Sequence, residues 1–90
     1  MSMKLQRFWI VFRDPPAFSP LGIGCGISAF DHHDALKLLE ATVFKEHGRL
    51  EIASMAEDVD VSTLDPLHVL PNMGSCLVRG VWFPQRYSHE

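Results

Sequence analysis

Four side chains in one segment of the sequence could bind a metal ion. Asp58, Asp60 and Asp65 are followed by His68, and carboxylate oxygens and imidazole nitrogens are common metal ligands. In an extended segment Asp58 and Asp60 would point to the same side, which suits a shared ion. The ligand spacing and the central glycine of an EF-hand loop are absent, however. We therefore predict no metal site and no other cofactor, and we interpret these residues as a charged surface.

Nucleophilic and phosphate-binding chemistry has weaker support. Cys25 or Cys76 could use His68 as a base, but nothing in the sequence brings these residues together. Two cysteines do not make a disulfide framework, and we interpret both as buried thiols. The alternating glycines of residues 22–26 do not have the spacing of a phosphate-binding loop, and no helix begins beside them. We therefore predict no catalytic residue, and a protein that is not an enzyme.

The four metal-type side chains belong to a long acidic segment, residues 57–74, which we call the acidic connection. Connections in small domains usually have about 4–6 residues, and longer ordered ones are often functional. From residue 50 to residue 78 there are five carboxylates and no Lys or Arg. Such a surface attracts a basic partner. We therefore predict that the acidic connection is an ordered docking surface and not idle coil.

Length and charge exclude several classes of function. Ninety residues predict one domain, residues 1–90. The net charge of −3 argues against binding to nucleic acid or to anionic lipid, both of which need clustered basic residues. No stretch approaches the roughly 20 apolar residues of a membrane span, and no signal peptide is recognisable. The sequence thus predicts a cytoplasmic protein.

Alternating residues predict two strands at the start of the chain. Residues 4–13 place Phe8, Ile10 and Phe12 on one face, and residues 22–30 follow a loop that contains three prolines. One face of the second strand consists of glycine and serine, which leaves a bare strip on the sheet. Trp9 or Trp82 from a neighbouring strand could cover this strip.

The rest of the chain predicts one helix and two further strands. Asp31 is a suitable N-cap and Gly48 a suitable stop for a helix over residues 31–48. Residues 50–55 and 75–83 predict the last two strands. The fold class is therefore α+β: a two-layer ββαββ arrangement with one helix on a sheet of about four mostly antiparallel strands. The sheet face away from the helix must be solvated, covered by the acidic connection, or used in assembly.

Several short segments of the chain carry a resemblance. They are Gly24-Cys25-Gly26 with Ala29-Phe30-Asp31 and Asp34-Ala35-Leu36, the stretch EDVDVSTLD from Glu57 to Asp65, His68-Val69, Pro71-Asn72-Met73-Gly74, and Arg79-Gly80-x-Trp82-Phe83-Pro84. Together they resemble a group of small uncharacterised bacterial proteins over most of the chain. In size and acidity the chain is also similar in kind to immunity proteins, which neutralise secreted toxins. Neither resemblance assigns a role to a particular residue.

We therefore predict a protein–protein interaction module, most concretely an immunity protein that blocks a basic toxin domain. The predicted partner contacts are Asp58, Asp60, Asp65 and His68, with Arg79 and Trp82 as the side chains that hold the partner. Two alternatives remain open. One is a small-molecule-binding or regulatory homodimer that uses the open sheet face around Trp9, and the other is a small metal-assisted enzyme built on Asp58, Asp60 and His68.

Overall fold

A computed structural model describes residues 4–87, except for the side chain of residue 86. It contains one four-stranded antiparallel sheet with the strand order β3-β1-β2-β4. Two helical segments connect β2 to β3, so the predicted α+β class and the ββαββ order are confirmed. β1 lies between β2 and β3, which are therefore not neighbours. The elements are β1 (Gln6–Phe12), β2 (Cys25–Ala29), α1 (His32–Ala41), α2 (Val43–His47), β3 (Ile52–Ala56) and β4 (Gly80–Phe83).

The main core lies between the sheet and the helices. Phe8, Ile10 and Phe12 of β1 are buried there, as their alternation predicts. The helices contribute a stripe of small and branched residues at helical spacing, and β2 contributes one of its two faces. The other buried members are Leu21, Cys25, Ile27, Ala29, Ala35, Leu39, Val43 and Val81.

The ends of the helical region follow the predicted capping, but its middle does not. The Asp31 carboxylate accepts the Asp34 N–H at 2.8 Å, and Gly48 ends α2 in the left-handed region at φ 79°. At Thr42 the backbone leaves helical geometry, and the Thr42 hydroxyl donates to the Leu38 carbonyl at 2.7 Å. The predicted helical region over residues 31–48 is therefore confirmed in its extent, but it is divided into α1 and α2 at Thr42, where the hydroxyl bonds to the preceding turn.

Two tryptophans cover the glycine strip on the other face of the sheet. A Cβ atom at Gly26 would lie 2.3 Å from the Trp82 ring, and one at Gly24 would lie 2.5 Å from the Trp9 ring. Gly24 also has a φ of 149°, which side chains rarely adopt. The indoles can lie this close only because both positions lack a side chain. The prediction that Trp9 or Trp82 covers the strip is confirmed for both residues.

The acidic connection lies over this second face of the sheet. Val69, Trp82 and Phe83 are buried there in a separate small core. Residues of the connection complete this small core from above. The sheet face could have been solvated, covered by the connection or used in assembly, and the structure shows that the connection covers it. The partly buried residues packed against this core are Trp9, Val61, Leu64, Met73 and Cys76.

The bounds of the last two strands differ from the predicted ones. In β3, Ser54 pairs with Val11 and Ile52 with Phe12, so Ala53 has no partner across the ladder. This bulge sends both Ile52 and Met55 to the helix side, which blurs the alternation. β4 begins at Gly80, five residues later than predicted. The preceding residues do not join the sheet as a strand.

Candidate protein-binding surface

Backbone hydrogen bonds hold the acidic connection to the sheet near both ends. The Val59 N–H donates to the Arg7 carbonyl at 2.9 Å, and the Arg7 Nε donates back to the Val59 carbonyl at 3.0 Å. At the other end the Gly74 N–H donates to the Trp82 carbonyl at 2.6 Å. Together with the buried Val69 between them, these bonds make the connection an ordered layer of the fold.

Asp60 shapes the first turn of the acidic connection. Its Oδ1 accepts the Ser62 N–H at 3.0 Å and the Ser62 hydroxyl at 2.7 Å, which caps a 3-10 helix at Val61–Thr63. These hydrogen bonds, the one from the hydroxyl above all, lower the pKa of Asp60. The neighbouring Asp58 has a φ of 51°, in the left-handed region that Asp and Asn tolerate better than most residues. Both side chains remain exposed.

Asp65 shapes the second turn in the same way. Its Oδ1 accepts the N–H groups of Leu67 at 2.9 Å and His68 at 3.3 Å, and its Oδ2 lies 2.8 Å from the His68 Nδ1. The bond from the Leu67 backbone, followed by that from the His68 ring, lowers the pKa of Asp65. The carboxylates of Asp60 and Asp65 therefore serve two purposes: they fix the turns and they keep negative charge on the surface.

A further side-chain contact joins the acidic connection to the start of α1. The Glu57 carboxylate lies 2.7 Å from the His32 Nε2, and both side chains are about half exposed. The His32 ring also packs against Phe8, with 5.4 Å between the ring centroids. The first residue of the connection is thus held beside the helix layer, while Asp58 and Asp60 extend beyond it.

Of the two side chains predicted to hold a partner, Arg79 is exposed and paired with Asp34, whereas Trp82 is buried. Arg79 pairs with Asp34 through two contacts, Nε to Oδ2 at 2.9 Å and a second between Nη2 and Oδ1. Arg79 is the main cause of the lowered pKa of Asp34. Trp82 is fully buried. Arg79 therefore ties the residue before β4 to α1 while its side chain remains 45% exposed, so its predicted contact with a partner stays a prediction. Trp82 supports the acidic connection from below and is not accessible to a partner in this structure.

Exposed apolar side chains within and after the acidic connection were not predicted from the sequence. Leu67, between the two residues that Asp65 holds, is 77% exposed. Leu77 and Val78, just before β4, are 78% and 54% exposed. The prediction of a strand over residues 75–83 assigned Leu77 and Val78 to the sheet and so hid them. An apolar residue inside a turn-rich polar segment, such as Leu67, is the one signal that could have marked a contact site.

The arrangement offers little for thiol or metal chemistry. Cys25 lies in the helix-side core and Cys76 on the opposite face of the sheet, and neither forms a disulfide. Burial strongly raises the pKa of the Cys25 thiol, which keeps it protonated and unreactive. Within residues 4–87 no three His, Cys, Asp or Glu side chains converge as a metal site requires. The ring nitrogen Nδ1 of His68 is already occupied by Asp65.

The sheet face that the homodimer hypothesis needed is covered. Trp9 packs beneath the acidic connection, with its ring centroid 6.1 Å from that of Trp82 and 5.7 Å from that of Phe83. A ligand or second subunit cannot reach the glycine strip without displacing this layer. That part of the hypothesis is therefore wrong.

The chain matches no family model, no curated protein and no solved structure. Of the helices in the described part of the chain, none has the length and apolar character that crossing a membrane requires.

Proposed function

We propose that the protein is a protein–protein interaction module of the immunity type, which binds and blocks a basic toxin domain through the acidic connection. One observation carries the proposal. The connection is bonded to the sheet near both ends, and it presents Asp58, Asp60 and Asp65 to solvent in a stretch without Lys or Arg. The immunity role follows from the resemblance in size and acidity.

Rigidity and charge would act together in such a module. Fixed carboxylates attract a basic partner over a Debye length of about 8 Å at physiological salt, and so raise the association rate. Because the turns are already formed, binding does not have to order them, which preserves affinity. Leu67 supplies exposed apolar area among the charges. We assign the partner contacts to Asp58, Asp60, Asp65, His68 and Leu67. Trp82 supports this surface from below, and Arg79 remains a predicted contact outside it.

The test is a pair of variants that change net charge equally. Asp58→Asn/Asp60→Asn removes two charges, and asparagine preserves both a capping oxygen and tolerance of the left-handed region. Asp14→Asn/Glu40→Gln removes two charges from exposed positions outside the acidic connection and serves as the control. Thermal unfolding should be similar for both variants and the wild type, so that a difference in binding reports the surface.

Partners captured from the native host with the wild-type protein are the ligands to measure, beginning with the product of any toxin-bearing reading frame beside the gene. We expect the connection variant to bind at least about tenfold more weakly than the control, and to show a shallower dependence of affinity on salt. Equal affinity and equal salt dependence for the two variants would contradict the proposal.

A further inference from the structure

The two edges of the sheet differ in how they are finished. At the β4 edge the Trp82 carbonyl already accepts the Gly74 N–H, and Arg79 just before the strand is held by Asp34. At the β3 edge no other segment of residues 4–87 adds a strand, and β3 pairs with β1 alone. β3 therefore presents unpaired backbone donors and acceptors on its outer side.

The β3 strand also lacks the side chains that usually protect an edge. Natural sheets place Lys, Pro or other charged residues on exposed edges to prevent pairing between molecules. The five residues of β3 are Ile, Ala, Ser, Met and Ala, with no charge and no proline. Its bulge turns Ile52 and Met55 toward the helix layer and leaves the small residues Ala53 and Ser54 exposed. Small exposed side chains allow another backbone to approach closely.

An apolar cleft of about 510 Å³ opens beside this edge. Its lining combines apolar side chains from the helices and from the start of β3 with two charged residues. The lining residues are Leu36, Phe44, Arg49, Leu50, Glu51 and Ile52. Glu51 pairs with Arg13 at 3.3 Å, whereas Arg49 forms no ion pair with any residue that the structure describes. The cleft thus has room for side chains from a strand added to β3, and it has an unused positive charge.

We infer that β3 pairs with β3 of a second copy of this chain, in antiparallel orientation, to form a homodimer with a continuous eight-stranded sheet. The two-fold axis of such a pair is perpendicular to the sheet, so the helices of both copies lie on the same face and the two clefts meet. This surface shares only Glu57, the first residue of the acidic connection, with the proposed partner-binding surface, and the inference does not depend on the proposed function.

The distribution of charge favours a second copy over an unrelated peptide. In antiparallel pairing centred on Ala53, residues at equal distances before and after Ala53 face each other across the two copies. Arg49 and Glu57 are such a pair, four residues before and four residues after Ala53. The unpaired Arg49 of each copy would therefore lie opposite Glu57 of the other copy, and this happens twice by symmetry. Glu57 is about half exposed, so its carboxylate can accept Arg49 as well as the contact with His32.

Sedimentation velocity from micromolar to millimolar concentration tests the inference on the intact protein. We expect a concentration-dependent monomer–dimer equilibrium. Leu50→Lys, in the cleft, and Ala53→Lys, on the exposed edge, should each weaken it at least about tenfold. Leu77→Lys is the matched control, because it puts the same charge at an exposed leucine near the other edge. It should change the dimer constant less than about twofold.

A charge exchange separates this interface from any other mode of association. Arg49→Glu should weaken the dimer, and Arg49→Glu combined with Glu57→Arg should restore it. A wild-type protein that stays monomeric throughout, or a dimer that both lysine variants leave unchanged, would overturn the inference. If Leu50→Lys fails to fold, Ala53→Lys decides, since that side chain is exposed. A dimer that the double charge exchange does not restore would overturn the pairing centred on Ala53.

Discussion

A methyl group added at Gly26 should loosen the acidic connection from a distance. The Cβ atom of Gly26→Ala would lie 2.3 Å from two carbons of the Trp82 ring, whereas carbon atoms in contact prefer about 3.5–4.0 Å. The ring must therefore move by about 1 Å or more. Trp82 is fully buried under the connection and packs with Val69 and Phe83, so it has no free space into which it can move.

The expected cost follows from the packing. Overfilling a packed core costs about 1–3 kcal/mol, and we expect the upper half of this range because the ring is rigid and enclosed on all sides. For a domain of this size about 2 kcal/mol corresponds to a fall in the melting temperature of roughly 8–16 °C. Without the clash, alanine would favour a strand over glycine by about 0.5–1 kcal/mol. The sign of the change in unfolding free energy on Gly26→Ala therefore tests whether the Trp82 ring lies this close. Urea denaturation measures it.

Two further variants complete this experiment. Gly22→Ala is the control, because a Cβ atom there meets nothing within 4 Å. We expect it to be neutral or to stabilise by a few tenths of a kcal/mol. In a Trp82→Leu background, Gly26→Ala should cost less than about 1 kcal/mol, since the ring that it meets is gone. If Gly26→Ala is as stable as the wild type, or if its cost is the same with Leu at position 82, the reasoning about this contact is refuted.

Two other predictions concern the bonds that hold β4 and the segment before it. Because Arg79 lowers the folded-state pKa of Asp34 below the ordinary 3.8, the ion pair stabilises the fold above that pH and loses its effect as the pH falls through the folded-state pKa. Asp34→Asn should therefore lower the free energy of unfolding by about 1–2 kcal/mol at pH 7. Below about pH 4 the variant should lose less further stability than the wild type, as measured by urea denaturation. Parallel curves of stability against pH for the two proteins would contradict this. Ser28→Ala removes the buried hydroxyl that donates to the Cys76 carbonyl at 2.5 Å, so it should lower stability by about 1 kcal/mol. It should also speed the reaction of Cys76 with a thiol reagent, while Cys25 stays unreactive in the folded protein. An unchanged rate at Cys76 would show that this bond does not hold the segment.

The parts of the fold that follow from local rules were predictable from the sequence. Alternation placed Phe8, Ile10 and Phe12 on the core side, and Asp31 and Gly48 marked the ends of the helical region. The bare glycine strip required an aromatic cover, and the structure supplies it. The alternation and the caps depend on the residue itself and on neighbours a few positions away, whereas the cover was predictable because bare glycines in a strand leave room for a large side chain.

Most of the missed features depend on contacts between distant segments. The break at Thr42 is an exception, since its hydroxyl bonds to Leu38 only four residues earlier. The bulge at Ala53 comes from the pairing of β3 with β1. Trp82 was predicted to hold a partner because tryptophan is frequent in interfaces, but the same chemistry suits the second core that the acidic connection covers. Nothing local in the sequence shows whether this tryptophan lies in an interface or in a buried core.

The candidate surface was predictable in its charge and not in its construction. The run of carboxylates from residue 50 to residue 78 is visible in the sequence. The spacing of Asp60 from Ser62 and of Asp65 from His68 is compatible with their role as caps of turns. The bond of Val59 to Arg7, however, joins residues more than 50 positions apart, and that of Gly74 to Trp82 depends on a turn whose path the sequence does not give. Those bonds decide that the carboxylates stand on a fixed layer.

Amide hydrogen exchange at Val59 and Gly74 tests the central claim, that the acidic connection is a fixed surface, most directly. Their N–H groups donate to Arg7 and Trp82, so we expect both amides to exchange far more slowly than amides in an unstructured peptide. Exchange of both at the rate of a free coil would contradict the account, because the carboxylates would then stand on a loose loop.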